Sequence, residues 1–174
     1  PETIVCEDAE TALAAFATLG GDVVVKPIFG SEGRGILRVS DPDLALRAFR
    51  TLERLDAVLY LQRFVPHEGF DVRVLVLDGR VLGGMCRRNP HDFRTNVSRH
   101  AQAEPIVLTE QQIDWALRAA AAIGTRLAGV DLLYDRTGTG YVIEVNGVPG
   151  WKALQQVTGC DVALAVMRAL ESPG

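Results

Sequence analysis

Three oxygen-bearing side chains, Asp131, Glu144 and Asn146, stand close together in the C-terminal third of this sequence. Gly129-Val130-Asp131-Leu132-Leu133 and Tyr141-Val142-Ile143-Glu144-Val145-Asn146 have the β-branched and aromatic content of strands. Arg136-Thr137-Gly138-Thr139-Gly140 between them reads as a hairpin turn. With a four-residue loop, Asp135 pairs with Gly140, and counting back sets Asp131 opposite Glu144. Strand alternation then puts Asn146 on the face of Glu144. Facing carboxylates about 5 Å apart repel by about 3 kcal/mol at an effective dielectric of about 20. Full solvation, protonation of one acid, or a cation between them would each relieve this. Oxygen-only ligands suit a hard ion such as Mg²⁺, which keeps several waters and shares substrate phosphates. The alternative is a solvated hairpin with acids on its wet face, and a loop one residue longer or shorter would turn Glu144 to the other side.

Two further groups carry chemistry. Val23-Val24-Val25-Lys26 leads into Gly30-Ser31-Glu32-Gly33-Arg34-Gly35. Glycines let backbone N–H groups approach an anion without Cβ obstruction, Ser31 adds a hydroxyl, and Lys26 reaches the same anion as a point charge. No G-K-[ST] and no helix follows, so this is a strand–loop–strand flap and not a Walker loop; the alternative is a flexible hairpin with a surface lysine. Basic positions here default to arginine, with sixteen Arg against only Lys26 and Lys152, which weakly favours a chemical reason for Lys26. The second group is Arg87, Arg88, Arg94 and Arg99, with Asp92 the only acid among them. In a long aperiodic loop over residues 87–104 such a patch could clamp phosphate or carboxylate; otherwise it is a solvated basic loop. His67, His91 and His100 lack metal-ligand spacing, and Trp115 and Trp151 read as packing residues. A glycine flap with a lysine, an arginine loop and a pair of acids together suit phosphoryl transfer from a nucleotide.

The elements that must position these groups alternate between helix and strand. A helix is expected from about Asp8 to Leu19, a strand over Asp22–Pro27, a second over Ile36–Val39, and a helix opened by Asp41-Pro42 and running to about Leu55. Val58–Val65 is a strand. Asp71–Leu77 and Arg80–Met85 form a hairpin around Asp78-Gly79. Thr109 and Gln112 make a capping box for a helix to about Leu127, and a last helix spans about Asp161–Leu170. The result is α+β with mainly antiparallel strands. At 174 residues, 48% hydrophobic and 23% charged, the chain has material for one large domain or two small lobes. A net charge of −4 argues against bulk nucleic-acid binding, and no apolar run is long enough to span a membrane. Cys6, Cys86 and Cys160 form no disulfide framework, which with the absence of a signal peptide points to a reducing, cytoplasmic setting.

The runs VVVKP–GSEGRG, LYLQRFV, FDVRVLVLDGRV, RRNPHDFRTN, AGVDLLYD, VIEVNGVPGW and TGCDVA occur in this order over nearly the whole chain. Together they resemble RimK-like ATP-grasp ligases of the α-L-glutamate ligase type. The resemblance implies an ATP-grasp fold of two α+β lobes that grip ATP: a small lobe over residues 1–65 with the glycine-rich loop, and a larger one over residues 66–174 with the metal site. It implies that Lys26, Ser31, Gly33 and Gly35 meet phosphates, and that Arg63 and Phe64 form a hinge meeting adenine through backbone groups. An Arg at 63, where an acid is frequent, departs from the family pattern. Asp71 is implied to contact the ribose. Arg87, Arg94 and Asn96 are implied to face phosphates and substrate, with Arg87 and Arg94 offsetting charge on the transferring group. Asp131, Glu144 and Asn146 are implied to ligate Mg²⁺, with Mn²⁺ as the substitute. The activity implied is ATP-dependent joining of a carboxylate to an amine, such as that of glutamate, through an acyl phosphate. The rivals are an ATP-binding module without turnover and an ATP-grasp phosphotransferase. The family's N-terminal domain and an earlier phosphate-contacting lysine are not matched, so the chain is expected to correspond to the C-terminal portion of such an enzyme. The carboxylate acceptor and homo-oligomerisation stay open.

Overall fold

The computed structural model describes residues 1–28, 35–95 and 101–171. The chain divides into two units, Pro1–Pro66 and His67–Gly174.

In the first unit, β1 (Thr3–Cys6), β2 (Val23–Lys26), β3 (Leu37–Val39) and β4 (Leu59–Arg63) make an antiparallel sheet in the order β1-β4-β2-β3. Helices α1 (Ala9–Thr18) and α2 (Pro42–Glu53) contribute Ala12, Phe16, Ala45 and Phe49 to a core with Val23, Val25, Leu59 and Leu61. Both helices begin as their caps require: Asp8 accepts from the Thr11 N–H at 2.8 Å and Asp41 from the Leu44 N–H at 2.9 Å. Strand β1 was not expected. Four residues hold too little alternation to signal a strand, and only pairing with β4 fixes it.

In the second unit, β5 (Phe70–Leu77), β6 (Arg80–Arg88), β7 (Gln102–Pro105), β8 (Leu127–Tyr134) and β9 (Gly140–Asn146) form an antiparallel sheet in the order β7-β6-β5-β8-β9. Asp78 and Gly79 both take positive φ, +46° and +70°, as a tight two-residue turn between β5 and β6 demands. One face packs Val72, Val74, Val130 and Leu132 against Ala116 and Ala120 of α3 (Glu110–Ile123). The other packs Leu75 and Met85 against Leu154 of α4 (Lys152–Thr158) and Val162 of α5 (Val162–Glu171). The Thr109/Gln112 capping box opens α3, and Gly124 in the left-handed region closes it. That cap stops the helix short of the expected Leu127, which is already the first residue of β8.

Two expectations for this unit are corrected. Strand β6 runs on to Arg88, and β7 occupies residues 102–105, so the expected loop over 87–104 is shorter at both ends. Gln-Ala-Glu-Pro has no strand pattern of its own. It is an edge strand, where proline and charge are tolerated. Helix α4 was also missed, because the Gly-Val-Pro-Gly breaker before it hides a seven-residue helix. Among the described residues no helix is long and apolar enough to cross a membrane. Cys6, Cys86 and Cys160 are all free thiols.

Candidate functional site

Asp131 and Glu144 are direct partners across β8 and β9, and Gly129 pairs with Asn146 two residues along. Cross-strand partners share a face, so Asp131, Glu144 and Asn146 lie on one side of the sheet. The route to this register differs from the expected one. Tyr134, not Asp135, pairs with Gly140, so the loop has five residues, 135–139. Asp135 folds that loop, its Oδ1 accepting from the N–H groups of Thr137 at 2.8 Å and Thr139 at 2.9 Å. A longer loop alone would have turned Glu144 away. A β-bulge, with Ile143 as the extra residue, shifts the pairing by one between Leu132 and Asp131 and brings Glu144 back opposite Asp131. The same bulge leaves Val142 paired with Leu132, which faces α3.

The row continues inward. Arg73 of β5 is the cross-strand partner of Asp131, and Asp71 of β5 is the partner of Arg87 of β6. Arg73 Nε and Nη2 donate to the two oxygens of Asp131 at 2.6 and 2.7 Å. Arg87 Nε donates to Asp71 Oδ1 at 2.7 Å, and its Nη2 meets both Asp71 Oδ2 and, at 2.8 Å, Asp131 Oδ2. Thr95 Oγ1 donates to Asp71 Oδ2 at 2.6 Å. Relative exposures are 1% for Asp71 and Asp131, 2% for Arg87 and 9% for Arg73. Two acids and two guanidiniums thus sit out of water with no net charge, each fork satisfied. Burial pushes the Asp131 carboxyl up, but Arg87 and Arg73 outweigh it and hold the carboxyl below the usual range. Burial would also lower Arg87, but Asp131 and Asp71 more than reverse it and keep the guanidinium charged. Asp71 goes the other way: burial outweighs Arg87 and raises its carboxyl above the ordinary value.

The outer members are more open. Glu144 is exposed and Asn146 half-buried. Asn146 Oδ1 accepts from the Val148 N–H at 2.8 Å. Among the described residues no three His, Cys, Asp or Glu side chains converge as a metal cluster. A divalent ion here would therefore take two acids and one amide, completed by water or phosphate oxygens. The donor chemistry fits such an ion. Asp131 Oδ1 holds one hydrogen bond and Asn146 Oδ1 one, while each oxygen has two lone pairs.

The arginine group is not the open basic loop that was expected. Arg87 lies on β6 and is buried between acids, so its charge is spent within the network. Arg94 is bound by Asp92, its Nη2 lying 2.6 Å from Asp92 Oδ2. Arg88 is exposed, with its guanidinium 5.1 Å from the centre of the Phe70 ring. Asp71, assigned to a ribose by resemblance, is buried and accepts hydrogen bonds from Arg87 and Thr95. Arg99 and Asn96 lie outside the described residues.

In the first unit, Lys26 ends β2, and its Nζ donates to Gln62 Oε1 at 2.7 Å. Gly35 has φ of +75°; Ser31 and Gly33 lie outside the described residues. The Arg63 N–H donates to the Glu2 carbonyl and the Phe64 N–H to the Asp22 carbonyl, each at 2.9 Å. Those two N–H groups are committed within the unit. Arg38, in a two-bond pair with Asp22, lies 3.5 Å over the Phe64 ring.

Sequence reasoning missed Arg73, Thr95 and Gln62. Arg73 left a signal: an arginine two residues from Asp71 in an otherwise apolar strand shares its face and must be paired if buried.

Residues 1–170 match the model of the RimK-like ATP-grasp domain. The chain is 36% identical over 168 residues to the tetrahydromethanopterin:α-L-glutamate ligase of Methanococcus maripaludis, covering 94% of this chain and 56% of that one. It is 33% identical over 177 residues to the α-aminoadipate–LysW ligase LysX of Sulfurisphaera tokodaii, covering 98% and 61%. The solved ATP-grasp ligase PsnB, in complex with a phosphomimetic variant of its minimal precursor, Mg and ADP, superposes with a TM-score of 0.74 at 27% identity, over 98% of this chain and 52% of that one. The chain thus spans between half and two thirds of the length of these proteins.

Proposed function

This chain belongs to the RimK-like ATP-grasp family, and from that premise we propose that it forms the nucleotide- and metal-binding part of an ATP-dependent carboxylate–amine ligase. The observation that carries this is the row Arg73–Asp131–Glu144 across three neighbouring strands, with Asn146 beside it. Asp131, Glu144 and Asn146 would hold Mg²⁺, or Mn²⁺ in its place. The ion, when bound, neutralises charge on the phosphates of ATP. Arg73 and Arg87 keep Asp131 ionised and fixed in direction, so that its remaining lone pair is presented and not reorganised on binding. Asp71 serves that arrangement by holding Arg87.

In the reaction proposed, an oxygen of the acceptor carboxylate attacks the γ-phosphorus of ATP. The bond to the β,γ-bridging oxygen breaks, giving ADP and an acyl phosphate. The amine nitrogen attacks the acyl carbon, phosphate leaves with the bonding pair, and the amine proton passes to solvent or phosphate. Lys26 and Arg94 offset charge on the phosphates, with Ser31, Gly33, Gly35 and Asn96 as further phosphate contacts and the Arg63–Phe64 segment beside the base. Glutamate is the amine donor proposed, on the strength of the relatives named for it. The protein contributes position and field, with no covalent nucleophile of its own.

The test is ADP release with Mg²⁺, glutamate and a panel of carboxylates that includes peptides ending in a free carboxylate. ADP that forms only when acceptor and amine are both present, with an amide product by mass spectrometry, supports the ligase. A phosphorylated product without amide would make the protein a phosphotransferase, and Mg-ATP binding without ADP from any pair would make it a binding module.

A further inference from the structure

Gly129 lies inside β8, where a glycine weakens the strand and has no side chain to pack. Its φ is not positive, so no left-handed turn requires it. What requires it is space. A Cβ at this position would lie 2.7 Å from Pro149 Cβ and 3.8 Å from Arg73 Nε. The proline ring cannot swing aside as a long side chain could. Positions 129 and 131 share a face of β8, so Pro149 sits on the face that carries Asp131 and Asn146.

Pro149 is buried, while Gly147, Val148 and Gly150 around it are exposed. Its ring against Gly129 is therefore where the turn after β9 is fastened. That turn starts at Asn146, which is itself the cross-strand partner of Gly129. Val148, the residue before Pro149, donates its N–H to Asn146 Oδ1 at 2.8 Å. A backbone donor at this place selects the oxygen end of the amide, because the turned-over amide would set NH₂ against N–H. A hard cation needs the same atom and takes no NH₂. An oxygen has two lone pairs, so one bond to Val148 fixes the amide without excluding an ion.

We propose that Gly129 and Pro149 are positioning residues that aim Asn146 at the divalent ion. The space above Gly129 seats Pro149, Pro149 sets the Val148 N–H, and that N–H holds Asn146 Oδ1 toward the site. This rests on Asn146 as a metal ligand, as proposed above. It accounts for a glycine in mid-strand and for a buried proline in an otherwise exposed turn.

The test measures ATP affinity with Mg²⁺ and with EDTA for the wild type, Gly129→Ala, Pro149→Gly, Asn146→Ala and the Gly129→Ala/Asn146→Ala double variant. The ratio of the two affinities is the Mg²⁺ gain, which damage to the fold or the base site alone does not alter. Gly129→Ala displaces the proline and is expected to lose most of the gain, since a residue behind a metal ligand is worth about tenfold in the hold on the ion. In EDTA it should match the wild type. In the Asn146→Ala background it should add little, because its target is gone. Pro149→Gly empties the seat without a clash and should also reduce the gain; it decides the matter if Gly129→Ala does not fold. Should Asn146→Ala lower the gain while Gly129→Ala, or Pro149→Gly in its place, keeps it, the positioning role is wrong and the ligand role of Asn146 stands. A further loss on adding Gly129→Ala to Asn146→Ala would also overturn the positioning role, by placing the damage at the acids. A wild type without a gain, or an Asn146→Ala variant that keeps it, would remove the ligand role and the proposal with it. Equal losses with Mg²⁺ and with EDTA would reduce Gly129 and Pro149 to packing residues.

Discussion

Arg73 and Asp131 face each other across β5 and β8, joined by two parallel hydrogen bonds of 2.6 and 2.7 Å in a site almost closed to water. Asp131 is thus a metal-ligand candidate whose direction is fixed by the protein before any ion arrives. Glu144, its partner on the other side, is exposed. The pair divides labour between a buried, preset acid and an accessible one.

That division predicts different costs for the two acids. Arg73→Met leaves Asp131 buried without its fork and should destabilise the fold by about 3–5 kcal/mol. Glu144→Gln is a surface change and should stay within about 0.5 kcal/mol of the wild type. Urea denaturation of both variants checks this; equal losses would mean the network does not carry the sheet.

The network also sets an acid limit. Asp131 titrates below the unfolded carboxylate value of about 3.9, so its contribution is complete above about pH 4 and is lost as pH falls through its lower folded value. Asp71 acts in the opposite sense. Its folded value is raised, so stability declines as pH climbs from about 4 through that value. The stability gap between wild type and Asp131→Asn should therefore shrink below about pH 4. A gap that stays constant into acid would show that Asp131 is not ionised in the native network.

Gly140 begins β9 where the Trp115 ring leaves no room: an added Cβ would lie 2.4 Å from it. Gly140→Ala should cost about 1–3 kcal/mol by overpacking and should weaken Mg²⁺-dependent nucleotide binding, because the start of β9 sets the register that carries Glu144. A folded variant with wild-type binding would show that the hairpin tolerates a shift there.

Much of this was legible in the sequence. The caps at Asp8, Asp41 and Thr109 and the Asp78-Gly79 turn follow from local chemistry, and the Asp131–Glu144 pairing was reached by counting along the strands. The pairing came out right through two offsetting departures, a longer loop and a bulge at Ile143, and neither has a local signature. The arginine group shows the limit more plainly. Counting charge along residues 87–100 suggested an open basic patch, but Arg87 is neutralised by Asp71 and Asp131, acids 16 and 44 positions away in sequence. Pairing between distant strands decides which charges are spent, and one strand alone does not reveal its partners.

Arg94, in the loop after β6 and paired with Asp92, is the described arginine of that group proposed above to offset charge on the phosphates. Arg94→Ala should lower the rate of amine-dependent ADP formation roughly 100-fold while changing Mg-ATP affinity little. A matching loss in affinity would make Arg94 a ground-state nucleotide ligand instead.

The most direct measurement is calorimetric titration of ATP into the wild type and Glu144→Gln, with Mg²⁺ and then with EDTA. Wild-type affinity is expected to rise sharply with Mg²⁺, by about tenfold or more, and Glu144→Gln should lose most of that gain while matching the wild type in EDTA. Equal Mg²⁺ enhancement in the two proteins would contradict a divalent ion held between β8 and β9.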